Sequence, residues 1–287
     1  MRRRLVYRGE DVGYTEAFDL GFYKVVEDGI ATAADVMFDA PHAKEALLWL
    51  KERPWISVGW HRHLWESPVL PSEEVPSLVD AEGRFKWRHH RSDLKKEATY
   101  EDAYKEFKAE VEFCKQYLGR IPDTADVFDK DLPLEKAFKD VILAYGIPYN
   151  LFNRDGKGCN PEYQDKFDLK PVRFKGYGES TAHHFDLNRF DQYDPKGSFL
   201  AIEWENDQQI WKIGGHPGYL DEHILKESSC TIHRVKDVEV GIDPDLKQWV
   251  LENQIELVNL RDVVNGTSEF QDHLKEINSP LWIGNMR

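Results

Sequence analysis

Leu5-Val6-Tyr7-Arg8-Gly9-Glu10-Asp11-Val12-Gly13-Tyr14-Thr15 is the stretch on which the fold turns. Its apolar start, Leu5-Val6-Tyr7, reads as a strand, and Glu10, Asp11 and Gly13 follow where that strand should end. Thr15 then stands as a helix N-cap, because Phe18, Phe22 and Val25 beyond it recur at helical spacing.

The rest of the chain repeats this alternation. Gly29 ends the first helix, and Ala34-Asp35-Val36-Met37-Phe38 alternates as a second strand. Pro41 opens a helix with Ala46, Leu47 and Leu50 on one side, and Pro54 stops it. Ile56-Ser57-Val58-Gly59-Trp60 is a third strand with His61 at its end. Residues 65–93 read as a long loop, rich in Pro and Gly and then in Arg and His, of a length that is usually functional or mobile. Two helices follow: Tyr104, Phe107, Val111, Cys114 and Leu118 closed by Gly119, then Leu134, Phe138, Val141 and Tyr145 closed by Gly146. Residues 150–198 give no clean period. Phe199-Leu200-Ala201-Ile202 and Trp211-Lys212-Ile213 read as strands, Leu246, Trp249 and Val250 as a late helix, and Ile255-Glu256-Leu257-Val258 as a last strand. Strands separated by helices long enough for crossovers predict an α/β fold: a distorted (β/α) TIM-like barrel with mainly parallel strands. No internal repeat or linker divides the chain, so residues 1–287 are expected to form one domain.

Composition narrows the function. The 287 residues are 41% hydrophobic and 31% charged, enough for a full core under a well-solvated surface. The formal net charge of −14 repels phosphate backbones and argues against nucleic acid as a partner. Cys114, Cys159 and Cys230 are three, widely spaced and without a CxxC pair, so neither a disulfide framework nor a thiolate zinc site is expected. Met1-Arg2-Arg3-Arg4 is basic, but no apolar run follows it, and none elsewhere is long enough to span a membrane. A cytoplasmic protein without membrane partners is the expectation, and the sequence leaves a homo-oligomer open.

Polar residues recur just after the apolar strands. Glu10 and Asp11 follow the first, His61 and His63 the third, and His216, in Gly214-Gly215-His216-Pro217-Gly218, the strand of Trp211. Strand ends converge on one rim of an α/β barrel, so these side chains can meet. Carboxylate and imidazole groups together suit a metal hydrolase: some hold a divalent ion and others move protons. Each also has a plainer reading, as an acidic turn, as surface histidines or as a tight turn. His89 and His90 read as solvated loop residues, and His183 and His184 fall in the irregular stretch.

The order of these motifs resembles the YdjC-like carbohydrate deacetylase family. Arg8 to Ala17 is similar to the family's opening Ala-Asp-Asp-Phe-Gly motif, Gly29 to Ala33 with Met37 and Pro41 to its next strand and helix, and Val58-Gly59-Trp60-His61 with Pro68 to its Gly-x-His and following Pro. Gly215-His216-Pro217-Gly218 is similar to its late His-Pro motif, and Ser229, Arg234 and Glu239 to its Ser…Arg…Glu stretch. The similarity runs over residues 5–263 and is weak in the middle.

The resemblance implies a distorted barrel, one divalent metal ion, magnesium (Mg) or zinc (Zn), and hydrolysis of the acetamide of N-acetylated sugars, chitooligosaccharides included. It makes Asp11 and His61 metal ligands, puts Glu10 where the family has its catalytic aspartate, and makes His216 the general acid. It implies a small carbohydrate as partner, with Arg234 expected on the substrate and the flat faces of Trp60, Trp65 and Trp87 on the sugar rings, core packing being a stronger alternative for Trp60 than for the two loop residues. Two departures stand out. Glu10 is longer by a methylene than the family's aspartate. The family's third metal ligand, a histidine, falls on Phe128, within Pro122-Asp123-Thr124-Ala125-Asp126-Val127-Phe128. Either His63, Asp123, Asp126 or Asp129 takes its place, with His63 the first choice, or the metal site is degenerate and the chain is a non-catalytic carbohydrate-binding relative.

Overall fold

The computed structural model describes residues 3–64, 66–88, 92–127, 131–151, 160–164, 168–172, 187–206 and 209–286. Trp65, His89, His90, Phe128, Asp129, Cys159, His183 and His184 lie outside the described residues.

Strand β1, Arg3–Val12, is the centre of the sheet. It pairs in parallel with β2 (Ala33–Val36), with β6 (Gln209–Gly215) and, at its start, with β7 (Ile255–Leu257). Outward from β2 come β3 (Ser57–Trp60) and β4 (Thr124–Ala125); outward from β6 comes β5 (Asp168–Val172). Among the described residues every pairing between the seven strands is parallel, and helices lie in the crossovers, as in a distorted TIM-like barrel. Parallel strands bring their C-terminal ends to the same side, so the ends of β1, β3 and β6 share one rim.

The helices form for the reasons their sequences give. Thr15 accepts a hydrogen bond from the Phe18 amide and caps α1 (Glu16–Glu27), which buries Phe18, Phe22 and Val25. Helix α2 is Ala43–Lys51, beginning two residues past Pro41. Helix α3, Tyr100–Leu118, is capped by Thr99 and ends at Gly119, whose φ of 87° is left-handed. Helix α4, Pro133–Tyr145, ends likewise at Gly146 with φ 65°. The main core joins Leu5, Tyr7, Phe18 and Phe22 to Trp60, Phe107, Val111, Phe138 and Val141, so it lies between the sheet and helices α1 to α4.

Two sequence expectations are corrected. Phe199-Leu200-Ala201-Ile202 is not a strand: Pro195–Leu200 is a helix whose N-terminus is set by the Asp194 side chain accepting from the Gly197 amide and by Pro195 in the first turn. The first strand does not stop at Glu10 but runs to Val12 through an irregularity in its register with β2 between Gly9 and Val12. The irregular stretch contains β5, which the sequence pattern did not reveal. The long loop stands within the described residues, with a 3-10 turn at Ser72–Glu74, a bridge between Val79 and Phe85, and a 3-10 helix, Ser92–Glu97, beginning at its end.

Candidate active site

The register break in β1 falls on Glu10 and Asp11, and Asp11 has φ 64°. A non-glycine residue in the left-handed region is uncommon and is held there by its surroundings. The bulge re-aims Asp11. Its Oδ1 faces His61 Nε2 at 3.1 Å, and its Oδ2 accepts from Arg234 Nη2 at 2.8 Å. His61 leaves the end of β3 with its other ring nitrogen, Nδ1, 3.0 Å from Asp35 Oδ2 on β2. The imidazole is therefore clasped by two carboxylates. Burial works against its charge, but Asp11 and Asp35 outweigh burial and push it up to about 10.

Glu10 sits on the other side of Asp11. Its Oε1 accepts from Arg8 Nη2 at 2.7 Å and lies 3.3 Å from Lys212 Nζ on β6, while its Oε2 is 3.8 Å from His216 Nε2. Arg8 also stands 3.3 Å from Asp35 and 3.4 Å from Asp126. Burial works to raise both site carboxyls, yet each is held well below the ordinary carboxylate range. For Glu10 the reason is Arg8, then Lys212 and His216; for Asp11 it is His216, then Arg234 and His61. Lys212 is pushed down to about 8 by burial, with Arg8 adding to it.

His216 follows β6, and its ring is also 3.9 Å from Asp11 Oδ2. Its backbone is fixed by Asp237, whose Oδ2 accepts from the His216 amide at 2.7 Å and whose Oδ1 accepts from the Tyr193 hydroxyl at 2.6 Å. Burial lowers the His216 imidazole, which favours the neutral ring. Glu10, Asp11, His61 and His216 thus converge, as their positions after strands predict.

The other expected site residues take different places. His63 lies beside His61, ring centroids 5.8 Å apart and nearly parallel, and burial pushes it down to about 4. It does not close a ligand set with Asp11 and His61: among the described residues no group of three or more His, Cys, Asp or Glu is placed to hold a metal ion. Asp123 is committed to the Val58 amide and to Arg261, and Asp126 faces Arg8. Arg234, expected on the substrate, is wholly buried; it binds Asp11, the Cys230 carbonyl and the Ser228 hydroxyl. Trp87, expected as a sugar platform, is a core residue at 2% exposure, stacked on Phe85 and donating to the Leu64 carbonyl. A cleft of about 450 Å³ lined by Tyr193, Lys196, Lys236 and Asp243 includes none of the converging residues.

Arg8, Asp35 and Lys212 were not singled out from the sequence. Each had a signal: a charged residue inside an apolar strand, between Tyr7 and Gly9, Ala34 and Val36, and Trp211 and Ile213. Such a residue is buried only with partners.

Asp11 Oδ1 and His61 Nε2 face one another, and Asp35 backs the distal nitrogen as carboxylates commonly do behind metal-bound histidines. These two donors are of the right kind for a divalent ion, and Asp35 is in the right place behind them.

The sequence profile of the YdjC-like protein family matches residues 4–252. A carbohydrate deacetylase of Enterococcus faecalis is 26% identical over 268 residues, covering 90% of this chain and 97% of its own. A chitooligosaccharide deacetylase of Serratia marcescens is 22% identical over 270 residues, covering 92% and 100%. A solved Enterococcus faecalis protein, provisionally assigned to cellobiose-phosphate cleavage, superposes with a TM-score of 0.66 at 22% identity over 92% of this chain and 99% of its own, which shows a shared fold.

Proposed function

The chain belongs to the YdjC-like family, and from that premise we propose that it is a carbohydrate deacetylase, hydrolysing the acetamide of an N-acetylated amino sugar or chitooligosaccharide. The observation that carries the reading is the meeting of Asp11 and His61 with Glu10 and His216 at the ends of β1, β3 and β6 in one parallel sheet. Asp11 and His61 are the residues that would hold a divalent ion, with Asp35 fixing the His61 ring. Bound there, the ion would supply positive charge to polarise the acetamide carbonyl and favour ionisation of water.

The proton path is carried by the chain's own residues. Glu10 is ionised and presents Oε2, so it takes a proton from the attacking water as the C–O bond forms. His216 Nε2, within 3.8 Å of that oxygen, relays the proton to the amine nitrogen as the C–N bond breaks. Acetate and a free amino sugar leave. Because Glu10 is held well below its ordinary range, it is reliably charged at neutral pH but a weak base, which limits its contribution.

One observation favours a second reading, a carbohydrate-binding relative without turnover: Phe128 stands where the family has its third metal-ligating histidine, and Glu10 where it has an aspartate. The experiment that separates the two is acetate release from N-acetylglucosamine oligosaccharides by chelated protein and after adding back magnesium or zinc. Deacetylation predicts acetate and amine in equal amounts, dependent on one of the ions and reduced to background in His61→Ala. Activity that survives in His61→Ala would remove the metal role. Sugar binding with no acetate under either ion would establish the second reading.

A further inference from the structure

Glu10 lies in a seat built by three residues that nothing above assigns to the reaction. The first two are cations on one oxygen: Arg8 Nη2 at 2.7 Å and Lys212 Nζ at 3.3 Å both face Oε1. Neither is free to leave, because the Arg8 and Lys212 side chains are only 3% and 5% exposed. The third is Gly214. A Cβ built on it would come within 2.3 Å of Glu10 Oε1 and 3.0 Å of its carboxyl carbon, so the carboxylate occupies the space a side chain would fill. The register explains how the three meet. Gly214 is the β6 partner of Arg8 and Lys212 is two residues before it, so Arg8, Lys212 and the open side of Gly214 share one face of the sheet, and the Glu10 carboxylate lies over that face. With Oε1 clamped, the remaining oxygen, Oε2, is the one turned to His216.

We propose that Arg8, Lys212 and Gly214 are positioning residues that hold the Glu10 carboxylate with Oε2 presented to the reacting atoms, and that this seat is built for a glutamate and not for the shorter aspartate. A buried carboxylate with one oxygen fixed by two cations loses its rotational freedom before substrate arrives, and misplacement of a proton acceptor by about 1 Å can cost roughly 100-fold in rate. The inference rests on the deacetylase reading.

The test is kinetic and structural. In Lys212→Met, which keeps the length of the side chain and removes its charge, kcat for acetate release is expected to fall by at least about 10-fold with KM within about 2-fold of wild type. Lys212→Arg should restore most of the loss. In a Glu10→Gln background Lys212→Met should cost nothing further, because its role runs through Glu10. Glu10→Asp should lose activity also, since it cannot reach the seat and His216 together. Gly214→Ala gives a second route to the same displacement that leaves both cations in place. Wild-type kcat in Lys212→Met, or an equal loss with Glu10→Gln already present, overturns the inference and leaves the deacetylase reading intact. A wild-type protein that releases no acetate overturns that reading instead. The seat is then decided by a crystal structure of Lys212→Met: Glu10 swung away from His216 supports it, and Glu10 unmoved overturns it.

Discussion

His61 has more neighbours that matter than its sequence position suggests. Its strand-end position made it a candidate, but what a strand end cannot tell is which way the ring will point. Asp35 settles that, at 3.0 Å from Nδ1, by leaving Nε2 to Asp11. The signal of Asp35, a charge between Ala34 and Val36 in an apolar strand, says that it needs a partner but not which one, because that partner is 26 residues away. Glu10, Asp11, His61 and His216 were legible because polar residues following apolar runs mark the rim of an α/β fold. Trp87 was misread for a physical reason as well: in a proline-rich loop an aromatic ring is either a platform or an anchor, and Phe85, Leu64 and Trp87 together give this loop its own apolar base. The role given to Asp35 makes a prediction. Asp35→Asn keeps the shape but removes the anionic partner of the imidazole. It should lower deacetylation by about 10–100-fold, as loss of a carboxylate behind a metal-bound histidine does, while the far-UV spectrum is unchanged. Wild-type activity in Asp35→Asn would mean that Asp11 alone orients the ring.

At the scale of elements, the caps and apolar faces of α1, α3 and α4 could be read directly, since Thr15, Thr99, Gly119 and Gly146 act locally. The charged residues on the inner face of α3 could not. Glu106 and Glu110 are buried: Glu106 accepts from the amides of Val69 and Leu70 and so pins the long loop, and Glu110 accepts from Trp60 Nε1 at 2.7 Å at the end of β3. Burial pushes Glu106 up to about 7 and Glu110 well above its ordinary value, with Glu106 and Asp39 adding repulsion to the latter. The sign follows. A carboxyl raised in the folded state binds protons more tightly there than in the unfolded chain. Its stabilisation is therefore complete below the unfolded value near 4.5 and is lost as pH rises through about 7. Glu110→Gln removes one ionisation from the pair. It should raise the thermal midpoint at pH 8, by about 2–4 °C for each kcal/mol relieved, and change it little at pH 5. A midpoint lowered equally at both pH values would show that the glutamate's shape matters and its proton does not.

For the whole molecule, alternation of strands and helices gave a parallel α/β fold but not the order of its strands. β1 is central because it pairs on one side with β2 and on the other with β6 and β7, which lie more than two hundred residues further along the chain, and a local pattern carries no information about such pairings. That central place is what brings Arg8, Glu10 and Asp11 between His61 on one side and Lys212 and His216 on the other. It also makes the site a nearly balanced cluster of buried charge: Glu10, Asp11, Asp35 and Asp126 face Arg8, Lys212, Arg234 and the His61 imidazolium. A divalent ion entering between Asp11 and His61 has to displace the proton that two carboxylates hold on the ring up to about pH 10. Binding must then release a proton and strengthen as pH rises, provided other groups are unchanged. Because such an ion binds only the folded chain, it adds stability in proportion to its occupancy, about 2.7 kcal/mol at one hundred times its dissociation constant. Magnesium or zinc should accordingly raise the thermal midpoint of the wild-type protein by roughly 5–10 °C near saturation, with half-maximal shift at lower ion concentration at pH 8 than at pH 6.5, and should leave Asp11→Ala and His61→Ala unmoved. An identical shift in those variants would place the ion elsewhere on this acidic surface. No shift with either ion at either pH would mean that the ring keeps its proton, and that the cluster is closed by its own cations, as a sugar-binding relative without turnover requires.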